Sequence, residues 1–297
     1  MKSKRIITNL IVVLIFLVGL SLLLYPTVSN YINTKNQSYA IVSYDKNAAQ
    51  LDKEKYEKIM ADAREYNRTM GTYQNNFALD ESRTALYNSL LNISDDGIMG
   101  YVDIPCINCK LPIYHGTNEA VLRVAIGHVE WSSLPVGGES THSVISGHRG
   151  LPSAELLTHI DRLELGDTFY INVLNEKLEY RVDSINVVLP EDTSKLEIVE
   201  GQDYVTLVTC TPYGVNTHRL LVRGTRIPYE EAEVLVEEVM QEEPPKSSWE
   251  QKYLQGLLIG VFTALGLAVA IVSIIKIRRK FSSPGRYATY GGDRYER

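Results

Sequence analysis

Hydrophobic positions change texture three times along the chain. Ile6 to Tyr25 ("IITNLIVVLIFLVGLSLLLY") are almost wholly apolar, and Leu254 to Ile275 ("LQGLLIGVFTALGLAVAIVSII") form a second such run. Neither contains a charged residue, and each has the roughly 20 residues that cross a bilayer. After the first run comes a polar stretch, then a helical pattern from about Lys46 to Met70, with Leu51, Tyr56, Ile59 and Met60 on its apolar side. A looser segment, Gly71 to Ser82, leads into a short helix around Thr84 to Leu91. From Gly100 the runs shorten and are bounded by Gly, Pro, Asn and Asp. "GYVDIP", "KLPIYHG", "VAIGHV", "HSVISGH", "TFYINVL", "LEYRVDSINVVLP", "YVTLVTC" and "RLLVRGTRI" read as about eight strands. One amphipathic helix, "SAELLTHIDRL" (Ser153 to Leu163), interrupts them. Many short strands with one inserted helix predict a mainly β domain, a closed or nearly closed barrel, with a sandwich as the other reading. An acidic helix, Glu230 to Glu243, and the linker "PPKSS" lead to the second apolar run.

Charge sorts these segments by compartment. Lys2, Lys4 and Arg5 precede the first run; Lys276, Arg278, Arg279 and Lys280 follow the second. Basic flanks of this kind stay in the cytoplasm. Residues 26–253 hold 20 of the 30 Lys+Arg and 34 of the 36 Asp+Glu, a net −14, while the two ends hold the other ten basic and two acidic residues, a net +8. The expected organisation is a cytoplasmic N-terminus (1–5), a transmembrane helix or signal anchor (6–25), a helical region (26–97), a barrel domain (98–228), an acidic helix and linker (229–253), a second transmembrane helix (254–275) and a basic cytoplasmic tail (276–297). No convincing small-x-small cleavage site follows the first run, and it is long for a signal core, so a retained anchor is expected. An acidic outer domain disfavours nucleic acid as a partner.

Three cysteines do not make a disulfide framework in an exported chain of this size. Cys106 and Cys109 form a C-x-x-C within "YVDIPCINCKLPIYHG". No second C-x-x-C and no ordered His pair completes a zinc site, and no following helix lowers a thiol pKa. Both read as packing cysteines. Cys210 ends the strand-like run of "VTLVTCTPYG" and is the odd thiol left over. It is either a small buried hydrophobe or a nucleophile at a strand tip.

A cysteine nucleophile needs a base, a donor for the developing oxyanion, and access. Six histidines are available: His115, His128, His142, His148, His159 and His218. His159 lies on the border of the expected helix, and His142 belongs to the strand end opposite His148. His148 stands in "VISGHRG", where glycines allow sharp turns and close backbone approach. His128 ("AIGHVE") and His115 ("IYHG") share part of this setting. Spacing favours His148 over His128 but leaves both in play. For the oxyanion, Arg219 opens the strand after the turn "TPYGVNTH". Two antiparallel neighbours joined by that turn would set Cys210 and Arg219 side by side, with Arg223 and Arg226 farther away.

"TLVTC" with Arg219 nine residues on, and a Gly-His-Arg-Gly upstream, resembles the sortase family of Gram-positive surface transpeptidases. "SDDGIMGYVDIP", "LPIYHGT", "GHVEWSSLPVGGESTHSVISGHRGLPSA", "GDTFYI" and "VTLVTCTPYGVNTHRLLVRGTRI" are similar to the class C, pilin-polymerising sortases, almost continuously from Ile98 to Ile227. Two terminal spans also match that class. The resemblance implies an eight-stranded sortase barrel, with His148 as the catalytic histidine, Cys210 as the nucleophile and Arg219 as the essential arginine. It also implies a lid with an Asp-Pro-aromatic motif ahead of the barrel. Here the lid-like segment 71–82 reads "GTYQNNFALDES", without Asp-Pro. Phe77 is the candidate stand-in for the ring, and Asp80 for the charge.

By resemblance, the enzyme cleaves a Leu-Pro-x-Thr-Gly-type sorting signal through a thioester on Cys210. It passes the acyl group to a lysine of a pilin subunit, with no cofactor. The expected partners are pilin subunits and the membrane. The alternatives are a wall-anchoring sortase that uses a peptidoglycan precursor, or a hydrolytic cysteine peptidase. A further reading makes the chain a sorted substrate, but the stretch before the second apolar run, "EEPPKSSWEQKY", has no sorting signal, and "LPVGG" (Leu134 to Gly138) lacks the threonine and lies mid-domain.

Overall fold

The computed structural model describes residues 2–70 and 79–228, together with residues 260, 261, 266 and 275. The acidic helix expected over Glu230–Glu243, the basic tail, nearly all of the second apolar run and Phe77 of the lid-like segment lie outside the described residues. The chain divides into two units, one of Met1–Leu23 with Pro245–Arg297, the other of Leu24–Pro244.

Helix α1 (Lys2–Ala49) is longer than its apolar run and takes in the polar stretch after it, with Pro26 inside. Its stretch Arg5–Ala49 is long and apolar enough to cross a membrane by length and composition. Ile6, Leu10, Leu14 and Leu17 are all exposed. The single helix expected over Lys46–Met70 is two. Asp52 accepts a hydrogen bond from the Lys55 backbone N–H at 2.8 Å and so caps a new helix, α2 (Lys53–Met70). Helix α2 buries Met60, Ala63, Tyr66 and Met70 along one stripe, which joins the main core. Asn67 binds Leu134 through both its amide groups, at 3.0 and 2.7 Å.

Helix α3 (Glu81–Ser89) overlaps the expected short helix but starts about a turn earlier, because Asp80 caps it, and ends sooner, where Leu90 is already extended. The Asp80 carboxylate accepts from the Arg83 N–H and from Ser82 Oγ, both at 2.9 Å. These bonds hold it below the usual carboxylate range.

All eight expected strands form: β1 (Ile98–Ile104), β2 (Cys109–His115), β3 (Ile126–His128), β4 (Thr141–Ser146), β5 (Thr168–Val173), β6 (Glu176–Val188), β7 (Asp203–Thr211) and β8 (His218–Ile227). They close in the order β1-β2-β3-β4-β7-β8-β6-β5, so the barrel reading holds over the sandwich. The β2–β3 and β4–β7 pairs are parallel; the others are antiparallel. Ile104, Ile113, Ile126, Ile145, Phe169, Ile171, Leu207 and Val222 are fully buried, as the alternation of their strands requires.

One local expectation changes form. Ser153–Leu163 is a series of turns closing in a 3-10 helix at Ile160–Arg162. Leu156 has φ +44°, which no α-helix admits. The backbone also bonds outward: the Leu157 N–H reaches His148 O at 3.2 Å, and the Glu155 N–H reaches Asn30 Oδ1 at 2.9 Å. Leu156, Leu157, Ile160 and Leu163 are still buried, so the apolar face is satisfied without a helix. The inserted α-helix is a single turn elsewhere, α4 (Glu119–Leu122), capped by Asn118.

Candidate active site at the exits of β4, β7 and β8

Strand β7 alternates. Val205, Leu207 and Thr209 are buried, while Val208 and Cys210 point to the other face and stay partly accessible. The turn 212–217 then returns the chain into β8 with Thr211 opposite His218 and Cys210 opposite Arg219. This is the pairing that the turn length predicts. Arg223 faces Thr206, four residues back along β7, and is taken up by Asp183 at 2.9 and 3.0 Å. Arg219 Nη1 donates to Asn216 O at 3.3 Å and His218 O at 3.2 Å. Those bonds keep its stem at the mouth of the turn, beside the cysteine.

Strand β4 runs parallel to β7, with Ser146 opposite Val208. The pairing continues one residue past the end of β4. The Gly147 N–H donates to Val208 O at 3.0 Å, and Thr209 Oγ1 donates to Gly147 O at 2.7 Å. Extending that register by one more residue sets His148 level with Cys210. Gly147 is needed there. A Cβ on it would come within 2.7 Å of Ile126 Cγ2 and 2.9 Å of Leu157. His148 is half-buried, and its Nε2 lies 4.0 Å from the Glu119 carboxylate. Glu119 sits in the first turn of α4 and also binds Arg123 Nε at 2.9 Å. The sequence reading missed Glu119. The one signal was its place after the capping Asn118, which marks a helix start but not its neighbour.

The other histidines are occupied elsewhere. His128 is fully buried in the fold. Its Nδ1 is 3.0 Å from Tyr87 Oη and its Nε2 is 2.7 Å from Ser133 O. Burial pulls its pKa down to about 4. His142 sits at the far end of β4, between Glu197 O at 2.9 Å and Thr206 Oγ1 at 2.7 Å. Burial lowers its pKa to about 4 as well. The His115 ring lies between Gly97 O and Leu90 O, at 2.9 and 2.7 Å. His159 is buried. His218 precedes Arg219, so its side chain takes the opposite face of β8.

Cys106 lies within a 3-10 turn at Pro105–Ile107, and Cys109 opens β2 just after it. Their thiols approach Asp167 and Leu156 O. Burial, aided at Cys106 by the Asp167 charge, pushes both pKa values up to about 12. All three cysteines are free. Among the described residues no group of three or more His, Cys, Asp or Glu is placed to hold a metal ion.

With a closed eight-stranded barrel and a cysteine paired to an arginine at one strand exit, the chain matches the sortase domain over residues 102–227. Among solved structures it is similar to sortase C1 (SrtC1) from Streptococcus agalactiae, with 52% identity over 64% of this chain and 98% of that one, and a TM-score of 0.63. It is similar to Streptococcus pneumoniae sortase C, with 42% identity over 64% of this chain and 97% of that one, and a TM-score of 0.57. That structure is described as informing catalysis and pilin substrate specificity. Among curated relatives, sortase A of Bacillus anthracis is 26% identical over 224 residues, which cover 75% of this chain and 95% of that protein. The chain belongs to the sortase family of cysteine transpeptidases. Within it, the chain groups with the class C sortases.

Proposed function

We propose that the chain is a membrane-anchored pilin polymerase. Cys210 attacks the threonine carbonyl of a Leu-Pro-x-Thr-Gly-type sorting signal, and the acyl group ends on a lysine side chain of another pilin subunit. The observation that carries this reading is the direct pairing of Cys210 with Arg219, at the strand exit that His148 also reaches.

The steps follow from that arrangement. The thiolate is the attacking form of a cysteine. Attack on the carbonyl makes a tetrahedral oxyanion beside Arg219, whose N–H groups stabilise the new charge. Collapse breaks the Thr–Gly bond, and the leaving glycine nitrogen takes a proton from the His148 imidazolium. The thioester then keeps the acyl group activated. A lysine amine attacks it, the neutral His148 imidazole takes up a proton from that amine, and the Cys210 thiolate leaves as the isopeptide forms. Proton and electron pair are restored at the end of each cycle.

The membrane setting rests on charge and pattern. The exposed apolar stretch of α1, a second apolar run near the C-terminus and basic residues outside both runs support two anchors, with both termini cytoplasmic and the acidic barrel domain outside. Anchors of this kind raise the local concentration of membrane-borne substrates.

The test uses the full chain in detergent micelles, mixed with a Leu-Pro-x-Thr-Gly peptide and a lysine-bearing pilin domain. Mass spectrometry should find a thioester on Cys210 and a lysine-linked product, both lost in Cys210→Ala. An adduct that goes on only to hydrolysis, or only to a peptidoglycan-precursor amine, would replace the pilin reading with one of the other acceptors. No adduct at all would remove Cys210 as the nucleophile.

A further inference from the structure

Arg149 follows His148, yet its side chain turns inward and is only 7% exposed. A buried guanidinium needs a charged partner and a fixed geometry. Arg149 has both. One end of its fork pairs with the Asp161 carboxylate. Nη1 donates to Thr211 Oγ1 at 3.3 Å, and Thr211 is the residue after Cys210. The guanidinium carbon also lies 5.9 Å from the centre of the Tyr213 ring. Tyr213 stands in the turn that joins Cys210 to Arg219. Gly150, at φ +81°, lets that ring close in, since a Cβ there would meet it at 3.0 Å.

These contacts lie where the sheet stops holding the chain. The β4–β7 ladder ends at Ser146 and Val208, with Gly147 as its last backbone link. His148 is one residue beyond. The segment after it has no strand pairing except an isolated bridge between Leu151 and Ala154. The Leu157 N–H holds the His148 carbonyl at 3.2 Å, and the place of the ring relative to Cys210 depends further on what holds residue 149. Arg149 reaches the exit of β7, the β7–β8 turn and the 3-10 turn that carries Asp161, all from one side chain.

We propose that Arg149 is a positioning residue of the sortase reaction. It pins the His148 exit of β4 to the Cys210 exit of β7, and through Tyr213 it fixes the turn that presents Arg219. The inference deepens the functional reading above and rests on it for the roles of His148, Cys210 and Arg219. Lysine is not a substitute for Arg149, because a point charge cannot contact Asp161, Thr211 and a ring face together.

The test compares wild type, Arg149→Lys, Asp161→Asn and a control, Asn67→Ser, which removes the tie between α2 and Leu134 outside the cleft. All are full chains in detergent micelles. Three quantities are read: the thermal midpoint, the kcat and KM for thioester formation on Cys210 with a Leu-Pro-x-Thr-Gly peptide, and the pH profile of Cys210 alkylation by iodoacetamide, followed on the Cys210 peptide. Arg149→Lys should lower kcat by about tenfold or more, as expected for misplaced reacting groups. KM should stay within about threefold, because no substrate contact is removed. The alkylation profile should shift, because the imidazole no longer sits at its distance from the thiol. Asp161→Asn should move both in the same direction and decides the matter if Arg149→Lys does not fold. Asn67→Ser should lower the thermal midpoint and leave the profile in place.

A wild-type rate and profile in the Arg149 and Asp161 variants would overturn the inference. So would an equal loss of kcat in Asn67→Ser at the same drop in midpoint. If wild type forms no thioester, the functional reading fails on its own. The alkylation profile then still reports whether Arg149 sets the environment of Cys210.

Discussion

Cys210 and Arg219 face each other across the β7–β8 ladder as direct antiparallel partners, with Thr211 and His218 as the last pair before the turn. The backbone of both strands fixes their separation, so neither side chain depends on a mobile loop to find the other. A strand-borne pair of this kind keeps its geometry better than one carried on loops. The turn carbonyl of Asn216 and the first carbonyl of β8, at His218, steady the arginine.

Arg219→Lys should therefore leave the fold intact and damage the chemistry. The lysine keeps the charge but loses the planar fork. Loss of an oxyanion donor lowers kcat by about 10²–10³-fold, roughly 2.7–4 kcal/mol in the barrier. Single-turnover thioester formation measures this, beside a thermal midpoint that should stay close to wild type. A variant with wild-type turnover would take Arg219 out of the reaction.

The three thiols should differ sharply in reactivity. Cys106 and Cys109 have pKa values pushed up to about 12. At pH 8 that leaves on the order of one thiolate in 10⁴, and only the thiolate reacts. Peptide mapping after brief iodoacetamide treatment of the folded protein should find label on Cys210 and almost none on the other two. Label spread evenly over all three would contradict the environments described here.

Gly147→Ala should harm both stability and rate. The new methyl would sit 2.7 Å from Ile126 and 2.9 Å from Leu157. Overpacking of this kind costs about 1–3 kcal/mol, and the strand exit that carries His148 must move to relieve it. Thermal midpoint and thioester rate should fall together. An unchanged thermal midpoint would mean that the packing around Gly147 is looser than it looks.

Acid should weaken the fold before the carboxylates titrate. His128 and His142 stay neutral when folded until about pH 4, whereas an unfolded histidine takes up a proton near pH 6.5, a reference value. Between those values the unfolded state binds more protons, so stability is full above about pH 6.5 and falls as pH drops. Each ring accounts for roughly 3 kcal/mol by the acid end of the window. The thermal midpoint should decline from pH 6.5 to 5, and more shallowly in His128→Gln. A flat profile over that range would refute the buried-histidine account.

Much of this architecture was legible in the amino-acid order, because the relevant interactions are local. Period-two runs bounded by turn residues marked all eight strands. The length of the turn after Cys210 sufficed to predict its pairing with Arg219. What stayed illegible depends on contacts between distant segments. His128 and His148 sit in similar glycine-flanked strand ends, and spacing alone left both in play. Packing separates them, since Tyr87 and Ser133 enclose one while the parallel β4–β7 pairing carries the other to the cysteine. The residues of Ser153–Leu163 have helical periodicity, yet their backbone N–H groups donate to Asn30 Oδ1 and to His148 O, and the positive φ at Leu156 breaks the helix. Glu119 meets His148, and Arg149 meets Thr211, across gaps of 29 and 62 residues. Such gaps leave no periodic trace, because they are closed by the barrel as a whole.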